Sequence, residues 1–545
     1  DVLREVPGLT LSRSGSAGRA TSLFTRGSNS THTLVLWNGI ELTNPYFAGY
    51  DWGRFSTAGV EQVEVVRGPY SALYGSDAMA GVVNILTSRR EGVGAGLERG
   101  GNGLMNATAN ATLGNDSLDG TLMYEVRRDD GFAANDDFAQ QSANLRLGWN
   151  ASPSIVAALL ARHTTYGLGI PVNTNAAGDA LVPSPERRQD GTETQLALPF
   201  EQTFRRFSYE VLLSESRRRD AFEDPQDPWG MVSSLTESTS RRARVTARAV
   251  AGPGTLVAGA EYERASVDDV TSFGPNLEDR GRSETSLFVE DRSSIAISNE
   301  TQLEISAGAR FDDYATFGSQ LSPRLAVAIV RGGTKWRAGI GDAFRAPSVG
   351  ELYFPWSGNE TLEPERSRSI EAGFDRATAA GQFSATLFSS EYEDLIVYDL
   401  LTQRFANVGD ATARGLELSI ERSLGSALRA GGSYTLTDTE EGGTGRELLR
   451  RPRHSGSLFV SHTAGSIQTN LVVMHTGDRT DVLPVYPYAR VGGEAFTTVD
   501  LNVQHTGGRF TPYLKVENAG GAEYEEVRGF PSPSRRFIVG VRFAR

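Results

Sequence analysis

From Gly92 to Arg545 the chain alternates apolar and polar residues in one segment after another, and that period of two constrains its fold more than any other feature. In Phe496–His505, Val499, Leu501 and Val503 point one way while Thr498, Asp500, Asn502 and Gln504 point the other. Leu416, Leu418 and Ile420 oppose Glu417, Ser419 and Glu421 in the same manner, and Phe537, Val539, Val541 and Phe543 share one face of the last segment. The longest compact apolar run, Ile155–Ala161, stops at Arg162 and His163, far short of the roughly 20 residues a membrane helix needs. Two architectures keep such a pattern, a soluble sandwich and a membrane β-barrel. A sandwich does not usually sustain it over this length with charges on the polar face of so many strands. The expectation is an all-β membrane protein, an antiparallel transmembrane barrel of about 22 strands, an even number as such barrels require.

Connections alternate in length. Ala251–Gly254 and Ala464–Gly465 suit tight turns at one rim, and Gly167–Thr192, Arg219–Ser240, Asp268–Ser283, Phe354–Arg366 and Asp478–Phe496 suit long loops at the other. Composition agrees: 60 glycines serve turns, and the absence of cysteine excludes disulfides and thiolate-bound zinc. A net charge of -13 argues against a nucleic-acid partner.

Residues 1–90 read differently. Val60–Arg67 is a strand, Leu34–Leu42 is a strand broken by a turn at Asn38-Gly39, and Asp1–Val6 is a short helix before Pro7-Gly8. A small α/β domain over residues 1–90 followed by a barrel over 91–545 makes physical sense, because so wide a barrel leaks unless its lumen is filled.

Several long motifs carry a family resemblance. Phe24–Leu42 (FTRGSNSTHTLVLWNGIEL) and Val66–Thr87 (VRGPYSALYGSDAMAGVVNILT) resemble the plug signature of TonB-dependent outer-membrane receptors. Phe344–Phe374, Asn407–Glu421 and Leu449–His454 resemble barrel stretches of the same family, and within it the plug and barrel length are most like its cobalamin (vitamin B12) receptors. The resemblance implies an N-terminal plug inside the lumen, a multi-pass barrel in the outer-membrane lipid of a bacterial cell, and active import of a scarce small-molecule ligand driven by the energy-coupling protein TonB. A corrinoid is the first expectation for that ligand. An iron chelate, either a ferric siderophore or haem, is the second. A scaffold role, docking a surface lipoprotein or a larger envelope assembly, is an alternative of another class. The family's TonB box and the first part of its plug are absent from the sequence as given, and the chain ends on Arg545 where the family tends to end on an aromatic. The expectation is a disordered leading segment and a short tail extension.

The signature residues have readable physics. Gly68, Gly75 and Gly81 permit tight turns and close approach, and Pro69 fixes one turn. Arg26 and Arg67 each precede a glycine and face burial, which calls for acidic partners on the wall; they are read as plug–barrel locks. The resemblance places ligand above two plug loops, Ser12–Ser22 and Thr43–Trp52. Candidate ligand-binding residues are Arg13, Ser14, Arg19, Asn44, Tyr46, Phe47, Tyr50, Asp51 and Trp52, with Tyr353, Phe354 and Trp356 of one barrel loop and Tyr486 and Tyr488 of another completing a cup. Aromatics in loops supply rigid contact area for a ligand with apolar faces, and the alternative for each is packing against the wall. Asp220, Glu223, Asp224 and Asp227, with Asp179 and Asp190, are candidate calcium ligands, as in cobalamin receptors, or else ordinary solvated turn formers; no other cofactor is implied. The run Gly92-Val-Gly94-Ala-Gly96 enters a strand rather than a helix, so it is no phosphate loop, and no catalytic constellation stands out.

Overall fold

The computed structural model describes residues 2–399 and 402–545. Twenty-two antiparallel strands close into one barrel, beginning with Gly92–Gly100 and ending with Arg536–Ala544. These two strands zip the seam, with Ile538 opposite Gly100 and Ala544 opposite Gly94. Closure removes both free sheet edges, so every wall strand has two neighbours. The expected strand count and architecture are therefore those observed.

The wall is built inside out relative to a soluble protein. Along Gly274–Ser298, Leu287 and Val289 are exposed on the outer face while Glu284, Ser286 and Glu290 are buried toward the lumen. The next strand repeats this, with Phe311 exposed and Arg310 and Asp312 fully buried. An apolar outer face and a charged inner one suit lipid outside and a polar plug inside. Among the described residues no helix is long and apolar enough to cross a membrane.

One rim carries two-residue turns, at residues 252–253, 299–300, 332–333, 379–380 and 465–466. The other carries the long connections and is the extracellular one. Two expected loops are shorter than their polarity suggests. Phe207–Glu223, Ser233–Ala251, Gly254–Thr271 and Gly274–Ser298 run straight through much of Arg219–Ser240 and Asp268–Ser283. The connections that remain are residues 224–232 and 272–273. Strands that project beyond the membrane expose both faces to water, so their charged alternation mimics loop composition.

Inside the lumen, Leu9–Arg13 pairs with Thr21–Thr25 as a hairpin. Beside it lies a four-stranded sheet in the order Ile40–Glu41, Thr33–Trp37, Gly81–Thr87, Val60–Arg67, whose central pair is parallel. Asn38 and Gly39 both take positive φ, 49° and 82°, which a tight hairpin turn requires and which Asn-Gly supplies. Val2–Glu5 forms a single 3-10 turn; Asp1 of the expected helix lies outside the described residues. Leu23, Val35, Trp37, Val83 and Ile85 form the plug core.

Val245 sits on the lipid-facing side, six residues from the strand end at Ala251. Val245→Arg places a charge near mid-bilayer and is expected to cost about 2–4 kcal/mol. Urea unfolding of the protein in lipid vesicles measures it.

Candidate functional site

The plug is fixed to the wall by buried charge. Arg26 donates from Nε and Nη2 to Glu417 at 2.8 and 3.0 Å, and from Nη1 to Glu371 at 2.8 Å. Arg67 reaches the same Glu417 at 3.0 Å and donates to the Pro7 carbonyl at 2.7 Å. Arg26 takes a positive φ of 51°, which turns its side chain outward into the wall, where the Phe388 ring lies 4.8 Å from the guanidinium. On the same side, buried His32 accepts from the Asn29 amide through Nδ1 and so presents Nε2–H to Glu365, 2.8 Å away. Arg345 also pairs with Glu365 and forms a two-bond fork with Glu351 at 2.9 Å each. Arg451 gathers the carbonyls of Gly27 and Ser28 and the Asn29 side chain. Every barrel stretch singled out in the sequence thus supplies a group that grips the plug. Gly75 shows the closeness of the fit. Its φ is +83°, and a Cβ there would come within 2.9 Å of the Arg310 guanidinium.

At the extracellular end the candidate ligand residues divide. Arg19 is buried and committed to Asp136 at 2.7 Å, with Ser16 on the same carboxylate at 2.6 Å, so it ties the first plug loop to a barrel loop. Ser14 bonds the Ala20 carbonyl, and the Arg13 amide bonds Glu526 at 2.9 Å. Asn44 caps its own loop by accepting from the Tyr46 amide, and Asp51 accepts from the amides of Thr21 and Gly53. Tyr46 packs against Val267 and Leu277 of the wall and Val349 of a barrel loop. Tyr50 and Trp52 meet edge to face, 5.6 Å apart, within the plug core. These eight serve structure in the geometry described, because a wide loop crossing a polar lumen must bury some of its aromatics.

Phe47 and Trp356 are different. Phe47 is 69% exposed at the tip of its loop, 4.2 Å from the Tyr46 ring. Trp356 is 88% exposed and held at φ +73°, a conformation that bulky residues rarely adopt. Tyr353 is half-buried beneath exposed Arg280, 5.4 Å from its ring, and Phe354 lies 6.3 Å from Tyr46. Tyr486 and Tyr488 are exposed in an edge-on pair on a separate loop, where the Tyr486 amide bonds the Gly178 carbonyl. Sequence alone did not point to Arg280, Asp136 or Arg54, the last of which binds Gln189 and Asp220. Their partners lie far along the chain, and no local pattern marks them.

The acidic residues do not converge. Asp190 and Asp220 stand on paired strands but face opposite sides, Asp190 outward and Asp220 toward Arg54. Asp179 bonds Asn175, Asp227 caps the amides of Trp229 and Met231, and buried Asp224 takes Asn173 and Arg187. Among the described residues no group of three or more acidic or histidine side chains is placed to hold a metal. Strand geometry thus separates acidic residues that sequence proximity suggested together.

Two expectations follow. Arg26→Ala leaves buried Glu417 with Arg67 alone and half-buried Glu371 with Arg337 alone, and is expected to weaken plug docking by about 1.5–3 kcal/mol, the worth of hydrogen bonds to charged groups; hydrogen exchange of plug amides reads the loss. Glu41 faces Arg242, which Glu263 shares, and burial with that crowding raises its pKa to about 7. The folded state then holds a proton that the unfolded state releases, so plug stability should fall as pH rises from about 4.5 to 7 and level off above. Glu41→Gln should flatten that slope in pH-dependent urea unfolding.

Residues 1–82 match the TonB-dependent receptor plug domain, and residues 84–521 match the TonB dependent receptor-like beta-barrel family. The whole chain superimposes on 95% of the siderophore receptor PirA from Acinetobacter baumannii, at 18% identity and a TM-score of 0.84. It superimposes equally completely on 98% of the copper transporter OprC (16% identity, TM-score 0.83). A ferric enterobactin receptor mutant from Pseudomonas aeruginosa, PfeA with enterobactin bound, is covered to 96% (18% identity, TM-score 0.82). At these identities the solved structures attest the fold alone, while the two family matches span nearly the entire sequence. The chain belongs to the TonB-dependent receptors of the bacterial outer membrane.

Proposed function

We propose that this receptor binds a bulky metal chelate at the top of its plug and imports it when TonB pulls on the plug from below. The observation that carries the reading is Trp356, a large apolar ring almost wholly in solvent and held at positive φ. Exposure of such a ring and backbone strain both cost free energy, and both are relieved or used when a ligand covers the ring. Phe47 offers a second uncommitted ring from the plug, so a ligand touching both would report its presence to the part that must move. The contacts that lock the plug to the wall at Arg26, Arg67 and His32 are polar, and water can replace them as they separate. That suits a plug which is remodelled and returns.

A corrinoid fits the apolar rings. A ferric siderophore is the second reading, favoured by exposed Arg280 over Tyr353, a cation set beside an aromatic face where an anionic chelate would rest. Equilibrium binding to the detergent-purified receptor separates them, with cyanocobalamin and ferric enterobactin as probes. Saturable cobalamin binding with no siderophore binding supports the corrinoid. The reverse result, weakened by Arg280→Ala, supports the siderophore. Trp356→Ala and Phe47→Ala should each weaken the true ligand about 10-fold, the worth of a well-placed aromatic anchor. If neither probe binds and neither substitution matters for uptake, the reading fails.

A further inference from the structure

On the outer face of the barrel, Arg241 stands directly opposite Arg264 across two paired strands. Both are exposed and point away from the lumen. Like charges directly opposite in a sheet destabilise it, and here nothing in the chain offsets them fully. Glu215 accepts from Arg241 at 2.7 Å but also from Arg217 at 2.6 Å, one carboxylate between two guanidinium groups. Arg264 makes no ion pair among the described residues; its neighbour on the other side is Ser283.

The depth of these arginines is the second observation. Arg217 lies ten residues from the strand end at Phe207, Arg241 ten from Ala251 and Arg264 ten from Gly254, each of those ends joining a short periplasmic turn. A barrel strand crosses the hydrocarbon in roughly 9–11 residues. Below the arginines and the Glu215 that Arg217 and Arg241 share, the outer face is apolar, with Val211, Leu213, Val245, Leu256 and Tyr262. The three arginines therefore stand where the hydrocarbon ends and the headgroups of the outer leaflet begin.

We propose that Arg217, Arg241 and Arg264 form a binding site for the phosphate of a glycolipid headgroup in the outer leaflet. A phosphate between Arg241 and Arg264 turns their repulsion into two charge-assisted forks, the geometry for which guanidinium is suited. Tyr262, directly below, offers its ring to the lipid's acyl–headgroup boundary. The site is independent of the ligand reading at the plug apex.

Native mass spectrometry of the delipidated receptor supplied with diphosphorylated lipid A tests this. The wild type should retain the lipid, and the Arg241→Gln/Arg264→Gln double variant should lose at least about 10-fold in retention, the scale of one bidentate charged contact. Arg429→Gln, near the opposite rim, should leave retention unchanged. Folding is checked by the heat-dependent gel mobility of the closed barrel. Lipid A stripped of its phosphates should bind the wild type no better than the double variant, and inorganic phosphate at the same concentration should not displace the intact lipid. Equal retention by the double variant, equal loss with Arg429→Gln, equal binding of the dephosphorylated lipid, or full displacement by inorganic phosphate would each overturn the proposal.

Discussion

Arg26 and its two carboxylates, Glu371 and Glu417, set the terms for the rest of this structure. A barrel of this width is useful only if its lumen is closed, and the closure must be reversible. An apolar plug surface against an apolar wall would be stable but hard to part in water. Buried ion pairs behave differently. Their net contribution to stability is small, because desolvation offsets attraction, yet breaking one partner away is costly. The plug is thereby held in one register by contacts that a directed pull can undo and water can re-satisfy. Arg67 and His32 of the plug extend the same grip to Glu417 and Glu365 of the wall, and Arg451 of a barrel loop reaches back to Asn29 of the plug.

The wall answers that constraint on its inner face and the membrane's on its outer one. Glu261, Arg310 and Asp312 would be untenable in a soluble core without one another, and Leu287 or Phe311 would be a liability on a soluble surface. Strict alternation lets one strand satisfy both solvents. Where the strands outrun the hydrocarbon, the outer face turns charged. There Arg241 meets Arg264, an arrangement that makes sense beside anionic headgroups and little sense elsewhere.

Aromatic residues at the extracellular end show how one composition serves two purposes. Tyr46, Tyr50 and Trp52 stabilise the plug loop by burial, which leaves Phe47 at its tip. Trp356, in strained backbone, stands exposed on a barrel loop rather than on the plug. A ligand resting between plug and loops can bias both, which a site wholly within either could not do.

The period of two, recurring in segment after segment from Gly92 onward, determined the barrel by itself, and the long glycine- and arginine-containing signatures determined the plug and the family. Those properties are local: alternation sets which face a residue occupies, and Asn38-Gly39 makes its turn wherever it sits. What only the tertiary structure decided is which residue meets which. Glu417 lies 391 positions from Arg26, and nothing near either names the other. Sequence proximity suggested a cluster of Asp190 and Asp220, and strand pairing set them on opposite faces. The loop aromatics looked alike in the sequence, and packing separated Phe47 and Trp356 from the rest. Facing follows from backbone periodicity, which a chain carries along its length, whereas partnership follows from closure of the barrel around its plug, which no segment contains.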